Sequence, residues 1–225
     1  MLTFSTEWFE PISLGPEGIV SGRQGAFGLG TLLVLKCSAT QRVLMARKSF
    51  REGFEGSNQF TLPGGMLRSD GALEFGPLDF NRCLGETLAK RVQAETGVAL
   101  KSVDGLVSLD QWPPIVGRYT IRGDQLVAAS ILPFYGETQH ELSTLTNDPT
   151  VHSAAWYDPV EVMHEVTQTN ALILAQVFWP DWSVAEQEKI KPILLPHFEA
   201  VLDNAEFVGA WSPISPWSER QAGNK

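Results

Sequence analysis

Apolar residues and turns alternate along the first part of the chain in a way that predicts a β-hairpin. Residues 26–36 form an apolar run bounded by glycines and by a polar turn, and residues 42–48 form a second apolar segment that ends in two basic residues. Short apolar runs bounded by turn residues are typical of buried strands. We therefore predict that these two segments pair as neighbouring strands.

A helical period follows over residues 81–96. Apolar side chains recur there every four residues, at Leu84, Leu88 and Val92. This spacing places them in one stripe along the helix, which we expect to pack on the sheet. Gly97 predicts a left-handed cap that ends the helix.

The rest of the chain alternates between strand and helix patterns. The predicted strands cover residues 98–110, 119–122, 126–135 and 151–159. A Gly-Asp pair at residues 123–124 predicts a hairpin between the second and third of these strands. Asp158 followed by Pro159 predicts the start of a short helix. Further helices are predicted at residues 170–178 and 184–202, and the residues before 26 are expected to form an arm over the core.

Composition narrows the class of protein. The 225 residues are 43% hydrophobic and 19% charged, which is typical of a globular chain. A net charge of −9 argues against a nucleic-acid partner, because that interaction needs clustered Lys and Arg. No run of about 18 apolar residues occurs, so we expect no membrane partner and a cytoplasmic location. Cys37 and Cys83 have neither disulfide nor zinc-site spacing.

Two motifs frame the predicted helix: LPGG at residues 62–65 precedes it, and KRVQAETGV at residues 90–98 ends it. At these residues the chain resembles the Nudix family, whose signature begins at a glycine and ends in Arg-Glu-aliphatic-x-Glu-Glu-x-Gly-aliphatic. The chain departs from that signature in the middle, where the segment between Gly65 and Lys90 is longer. The resemblance extends over residues 26–165.

The resemblance implies an α/β fold, a Nudix-like α/β/α sandwich with a mixed sheet. It also implies a division of the chain. Residues 1–25 would be an N-terminal arm, residues 26–165 the Nudix-like domain, and residues 166–225 a helical, aromatic-rich C-terminal extension of the same domain.

In the Nudix family, glutamates of this helix hold divalent metal ions that bind and polarise a diphosphate. The resemblance places Glu95 at one of these positions, as metal ligand and catalytic residue. Carboxylates suit Mg²⁺ or Mn²⁺, which would be the cofactor if the chain is active. The neighbouring glutamates of the signature are replaced by Arg91 and Ala94. Glu137 and Glu141, in a later polar segment, are the acids available to complete a metal site.

Arg91 is the most informative departure from the signature. A guanidinium repels a divalent cation, yet it can bind a diphosphate with two parallel hydrogen bonds. Phosphate binding could therefore persist without any cofactor. In this interpretation Gly64, Gly65, Arg47, Lys90 and Arg91 together bind the phosphate. The alternative is that these cations are solvated charges on a helix face and a strand end.

Three functions follow from these observations. The chain resembles hydrolases of nucleoside diphosphates linked to another moiety, with most of the metal-binding glutamates absent. It could instead be an inactive nucleotide-binding or regulatory module, or a dimeric scaffold. The tryptophans of the C-terminal region bear on the last possibility, because they can pack over the sheet, stack on a base or form a homodimer interface. These residues are Trp179, Trp182, Trp211 and Trp217.

Overall fold

The computed structural model describes most of the chain. The described residues are 13–14, 19–22, 25–52, 56–66, 77–100, 107–108, 115–120 and 126–203. The strands are β1 (Ser13–Leu14), β2 (Ile19–Gly22), β3 (Gly25–Cys37), β4 (Val43–Lys48), β5 (Phe60–Thr61), β6 (Gly64–Met66), β7 (Val107–Ser108), β8 (Ile115–Thr120), β9 (Leu126–Thr138) and β10 (Val151–Tyr157). The helices are α1 (Pro77–Thr96), α2 (Pro159–Val162), α3 (Gln168–Phe178) and α4 (Val184–Asp203), with a 3₁₀ turn at Met163–Glu165.

The ten described strands form one mixed sheet. At its centre, β3 runs parallel to β9 over ten residue pairs, from Gly28 opposite Ala129 to Cys37 opposite Thr138. The other pairings are antiparallel, including β4 with β10 and β8 with β9. A parallel pair cannot be joined by a tight turn, so the chain between β3 and β9 must cross over. The helix α1 lies in that crossover.

Helices cover both faces of the sheet, because successive side chains of a strand point to opposite sides. On one face, α1 contributes Leu88 and Val92 to a core that also contains alternate residues of the central strands, Leu33, Leu35, Cys37 and Leu44. On the other face, α3 and α4 pack on the intervening residues, Leu32, Val34, Val43 and Met45. The α/β/α sandwich with a mixed sheet is therefore confirmed.

Several predicted elements are confirmed. The hairpin of β3 and β4 and the two C-terminal helices lie within two residues of the predicted bounds. The strands β8 and β9 pair as predicted, but β8 begins at Ile115, four residues before the predicted start, and the predicted turn at residues 123–124 lies outside the described residues. Leu84, Leu88 and Val92 are fully buried, as the helical stripe predicts. Gly97 has φ +74° and its amide donates to the Gln93 carbonyl, so it ends α1 as a left-handed cap.

Three expectations are wrong in detail. The helix α1 begins at Pro77, four residues before the predicted start. Residues 97–100 are not strand, and β7 alone occupies the described part of the strand predicted at 98–110. The region predicted as an arm contains β1 and β2, which extend the sheet through β3. The strand β7 pairs with β9, which lies more than 20 residues on, so the local apolar run does not fix its extent. The strands β1 and β2 instead pair with their neighbours in the chain, β2 with β1 and with β3.

The aromatic residues of the C-terminal region that the structure describes belong to the core. Trp179 and Trp182 are buried in the same cluster as Phe178. The ring of Trp182 stacks near Phe178 at 6.5 Å and meets Trp179 edge-on at 5.9 Å. These two tryptophans therefore stabilise the packing of α3 on the sheet. Trp211 and Trp217 lie outside the described residues, and the homodimer stays a prediction.

Among the described helices, none has the length and apolar character needed to cross a membrane. Of the two cysteines, Cys37 is a buried free thiol on the α1 face of β3. The side chain of Cys83 lies outside the described part of α1.

Candidate functional site

The C-terminal end of α1 lies over the point where β3 and β4 separate. The two strands pair at Lys36 and Val43. Farther along, β4 pairs with β5 while β3 pairs with β6. The Leu33 amide also donates to the Pro63 carbonyl at 2.9 Å. The segment from β5 to β6, which carries the Gly64-Gly65 turn, thus fills the gap between the two strands.

Gly64 and Gly65 both lie in close contact with their neighbours. Gly64 has φ +147°, and a Cβ there would lie 2.2 Å from the carbonyl oxygen of Thr31, so only glycine fits this position. A Cβ on Gly65 would lie 2.8 Å from Nε of Arg91, so a larger residue would displace that side chain. Gly64 therefore lets β6 approach β3, and Gly65 leaves room for the guanidinium of Arg91.

Glu95 is fully buried, and both of its carboxylate oxygens have hydrogen-bond partners. Its Oε1 accepts from Lys48 Nζ at 2.9 Å and from Arg91 Nη2 at 3.2 Å. Its Oε2 accepts from the Gly64 amide at 3.1 Å. A buried charge is tolerated where it is paired and hydrogen-bonded in this way. Glu95 therefore ties α1 to the end of β4 and to the Gly64-Gly65 turn.

Arg91 lies one helical turn before Glu95, and 40% of its side chain is exposed. Its Nη1 contacts Asp148 Oδ2 at 3.3 Å, and its Nε lies 3.5 Å from the Gly64 carbonyl oxygen. We call Lys48, Arg91, Glu95 and Asp148 the ionic cluster. It contains two cations and two anions, so its formal charges balance.

The loop that follows β9 brings Asp148 into the ionic cluster by capping α1. The Leu145 amide donates to the Thr96 carbonyl, and the Asn147 amide donates to the Ala94 carbonyl, both at 2.9 Å. The last carbonyls of a helix have no partner within the helix itself. The loop backbone supplies those partners, and in doing so it fixes the position of Asp148.

The carboxyl group of Asp148 is held in its anionic form. Burial would raise its pKa, but hydrogen bonds from Thr150 and the charges of Arg91 and Lys48 oppose this, and the pKa falls below its ordinary value of 3.8. The Thr150 hydroxyl and amide donate to Oδ1 at 2.6 and 2.8 Å. Only Oδ2 faces Arg91, so this ion pair is monodentate.

Arg47, which the resemblance grouped with Arg91, lies on the other face of the sheet. It adjoins Lys48 on β4, and neighbouring strand residues point to opposite faces. Its guanidinium contacts Glu165 at 3.0 Å and lies 4.9 Å from the ring centre of Phe60. The structure therefore does not bring Arg47 to the ionic cluster.

Lys90 also lies outside the ionic cluster. It is exposed on α1, whereas Glu95 is buried and Arg91 is partly buried. One residue corresponds to about 100° around a helix, which turns Lys90 away from the Gly64-Gly65 turn. Of the five residues proposed to bind phosphate, the structure brings together Gly64, Gly65 and Arg91.

Glu137 and Glu141 lie at the opposite end of β4 from Glu95. Glu137 accepts hydrogen bonds from Tyr135 and from Ser38 beside the β3–β4 turn, and Glu141 accepts from Thr40 within that turn. The turn precedes Val43, and the five-residue step from Val43 to the end of β4 spans about 16 Å. The structure therefore does not gather these two acids with Glu95.

A second polar group forms near this turn, which we call the hairpin cluster: Lys36, Ser38, Tyr135, Glu137 and Asp181. Lys36 Nζ contacts Asp181 at 3.0 Å and lies 5.4 Å from the ring centre of Phe178. Burial and the hydrogen bond to Glu137 raise the pKa of Tyr135. The same bond, with that from Ser38, lowers the pKa of Glu137. The polar side chains of the hairpin cluster thus bond to one another, Lys36 to Asp181 and both Ser38 and Tyr135 to Glu137.

The donor set around Glu95 does not fit Mg²⁺ or Mn²⁺. Such ions prefer several oxygen ligands, mostly carboxylates and water. Within the described ranges, no three His, Cys, Asp or Glu side chains lie together in a way that could hold a metal ion. The Lys48 ammonium and the Arg91 guanidinium donate to Oε1 of Glu95, and the Gly64 amide donates to Oε2. The carboxylate is therefore already paired with positive side chains of the protein.

Asp148 is not among the sequence-predicted site residues, and Lys48 enters the prediction only as the basic neighbour of Arg47 at the end of a strand. Lys48 could be distinguished from Arg47 by strand alternation, because Leu44 and Lys48 share the face that α1 covers. Asp148 carries a weaker signal. The sequence Asp-Pro-Thr at residues 148–150 indicates a side chain that bonds the backbone two residues on. It does not indicate which helix that turn meets.

Comparison with known proteins yields similarity to solved structures alone, since no family model and no curated protein sequence matches the chain. The NUDIX domain of Shewanella oneidensis NrtR, in complex with ADP ribose, is 14% identical with a TM-score of 0.48, over 68% of this chain and 88% of that one. The E. coli dihydroneopterin triphosphate pyrophosphohydrolase is 14% identical with a TM-score of 0.46, over 68% and 95%. A Nudix hydrolase from M. smegmatis, RenU, is 15% identical with a TM-score of 0.44, over 73% and 94%. The likeness concerns the fold only, and it carries over no ligand or reaction.

Proposed function

We propose that this protein binds the diphosphate group of a nucleotide without a divalent metal ion, through Arg91 and Lys48. The observation that carries the proposal is the position of Arg91. Its guanidinium lies against Gly65, is 40% exposed, and stands where the resemblance places a metal-binding carboxylate. A fixed cation there can supply the charge that a metal ion would otherwise bring to a diphosphate.

The surroundings of Lys48 favour a nucleotide over inorganic phosphate as the ligand. Phe50 follows Lys48 by two residues and is 80% exposed. Between them, the amide and hydroxyl of Ser49 donate to the carbonyls of Thr150 and Pro149, at 2.9 and 3.3 Å. An exposed aromatic ring on an anchored segment next to a cation offers a surface on which a base can stack.

Metal-dependent hydrolysis, the other activity implied by the resemblance, is the less supported candidate. Both oxygens of Glu95 are engaged, and Glu137 and Glu141 lie at the far end of β4. A positive side chain within 3.2 Å of the carboxylate also opposes the approach of a divalent cation. A binding or regulatory role therefore fits the ionic cluster better than a hydrolytic one.

Titration calorimetry with pyrophosphate, AMP and ADP-ribose, each with and without Mg²⁺, tests the proposal. We expect metal-independent binding of pyrophosphate and tighter binding of ADP-ribose. Arg91→Gln should weaken pyrophosphate binding by about 10- to 100-fold, the cost of losing hydrogen bonds to a charged group. Arg42→Gln is the matched control, because Arg42 pairs with Glu141 near the hairpin turn and its removal changes the net charge equally.

The same samples are assayed for cleavage of the phosphoanhydride bond. Binding that requires Mg²⁺ and is followed by cleavage would overturn the proposal in favour of a hydrolase. An equal loss of affinity in Arg91→Gln and Arg42→Gln would show that binding depends on overall charge and not on the ionic cluster. The absence of binding under all conditions would leave the scaffold interpretation.

A further inference from the structure

The balance of charge in the ionic cluster raises a difficulty for any anionic ligand. Lys48 and Arg91 are matched by Glu95 and Asp148, and the chain as a whole carries a net charge of −9. An arriving diphosphate therefore meets no excess positive charge while both carboxylates keep their partners. One of the two ion pairs of Arg91 must give way before the N–H groups that it uses can donate to a phosphate oxygen.

The two carboxylates differ in how firmly they are held. Glu95 has no exposed surface and is bonded by Lys48, Arg91 and the Gly64 amide. Removing it from the ionic cluster would leave buried donors without an acceptor. Its contacts are therefore part of the fold, and it cannot be the group that a ligand replaces.

Asp148 is held to Arg91 by a single oxygen. The distance of 3.3 Å is long for an ion pair, since charged N–H···O bonds usually measure about 2.7–2.9 Å. Its other oxygen, Oδ1, accepts hydrogen bonds from the amide and hydroxyl of Thr150, and the carboxylate keeps these two bonds when the contact with Arg91 is lost. The loop is also anchored independently, by the amides of Leu145 and Asn147 on the end of α1.

We infer that Asp148 is an internal competitor for the ligand: its carboxylate accepts from Nη1 of the Arg91 guanidinium, and a diphosphate binds by replacing it there. This inference rests on the proposed function, and it adds a residue that sets the affinity of the site. The protein in its free form is thus held in a neutralised state by one of its own loops.

Asp148→Asn tests the inference, with pyrophosphate as the ligand in titration calorimetry. Asparagine keeps an acceptor for Thr150 but places an uncharged group opposite Arg91. We expect pyrophosphate to bind about tenfold more tightly, the size of one additional charge-assisted hydrogen bond. Asp181→Asn is the matched control, because it removes the same charge from the hairpin cluster, where Asp181 pairs with Lys36. The double variant Arg91→Gln with Asp148→Asn should lose the gain.

The outcomes separate the two proposals. If the wild type binds and Arg91→Gln does not, but Asp148→Asn binds no more tightly, the competitor role is overturned and the proposed function stands. Equal gains in Asp148→Asn and Asp181→Asn would likewise overturn it, because they indicate a general charge effect. Failure of every variant to bind pyrophosphate would overturn both proposals.

An NMR measurement on the wild-type protein tests the same inference without relying on variants, which could fold poorly. The side-chain carboxyl ¹³C resonance of Asp148 should shift as pyrophosphate is added, because its neighbour changes from a guanidinium to solvent. The resonance of Asp181 should stay in place. Saturation with pyrophosphate and no change at Asp148 would contradict the replacement.

Discussion

The ionic cluster and the hairpin cluster lie at opposite ends of the central strands and are built from similar side chains, but they differ in what holds them. In the ionic cluster a fully buried carboxylate, Glu95, joins a helix, a strand and a glycine turn. In the hairpin cluster the acids are exposed, and Glu137 accepts from Tyr135 of its own strand and from Ser38 of the β3–β4 turn. Acidic residues at the ends of the strands therefore differ in their importance for the fold, and we expect the buried carboxylate to contribute more to stability than the exposed ones.

The comparison also explains why the site predicted from the resemblance divides into two. A metal centre would need Glu95, Glu137 and Glu141 together, yet the structure separates them along the length of β4. What remains near Glu95 is a set of paired charges with one partly exposed guanidinium. That guanidinium is the basis of the proposal that the ionic cluster binds an anion.

The largest expected effect is a difference between the ionic cluster and the hairpin cluster in what each contributes to the free energy of unfolding. Glu95→Gln should lower the free energy of unfolding by about 3–5 kcal/mol, because it removes the buried anion with which Lys48 and Arg91 pair. Glu137→Gln, in the exposed group, should cost about 0–1 kcal/mol. Urea denaturation of both variants measures the difference. Equal losses would mean that the buried carboxylate is no more important to the fold than the exposed one.

An intermediate effect is expected when the cation is removed from the ionic cluster and carboxylates are restored. Arg91→Glu combined with Ala94→Glu should create a Mg²⁺ site, because it adds two oxygen ligands next to Glu95 and removes a repelling charge. Calorimetric titration with Mg²⁺ detects the gain, and the single variant Ala94→Glu, which keeps Arg91, is the control. If the double variant binds no Mg²⁺, the missing later acids matter more than Arg91.

The smallest effect concerns pH. The pKa of Asp148 is lowered in the folded protein, so its ionised form stabilises the fold at pH values above 3.8, and this contribution is lost as pH falls through the lower folded value. The difference in Tm between the wild type and Asp148→Asn should therefore be constant near neutral pH and narrow below pH 3.8. Thermal melts across this range test the sign. A gap that widened in acid would contradict it.

The local pattern of apolar and polar residues was sufficient to predict most of the helices and strands. The four-residue spacing of Leu84, Leu88 and Val92 reports a buried helix face directly. The cap at Asp158 is likewise local, since its side chain accepts from Val160 two residues on. The segment at residues 98–110 failed because strand pairing depends on distant partners, which an apolar run does not identify.

The site was harder to predict because its geometry depends on contacts between distant residues. The motif around residues 90–98 correctly singled out Glu95 and Arg91 as neighbours of the Gly64-Gly65 turn. It did not indicate that Lys48 would reach Glu95, or that a loop after β9 would bring in Asp148. The resemblance and their charge selected Arg47 and Lys90, and the faces of β4 and α1 distinguish them from the residues of the ionic cluster.

The ionic cluster has a consequence for the lifetime of the folded state. Its contacts join residues far apart in the chain: 47 positions separate Lys48 from Glu95, and 57 separate Arg91 from Asp148. Closing loops of this length costs conformational entropy, so we expect these charged contacts to form after the transition state for folding. Interactions that are absent from the transition state slow unfolding without speeding folding. We therefore expect the ionic cluster to slow unfolding and to lengthen the lifetime of the folded sandwich.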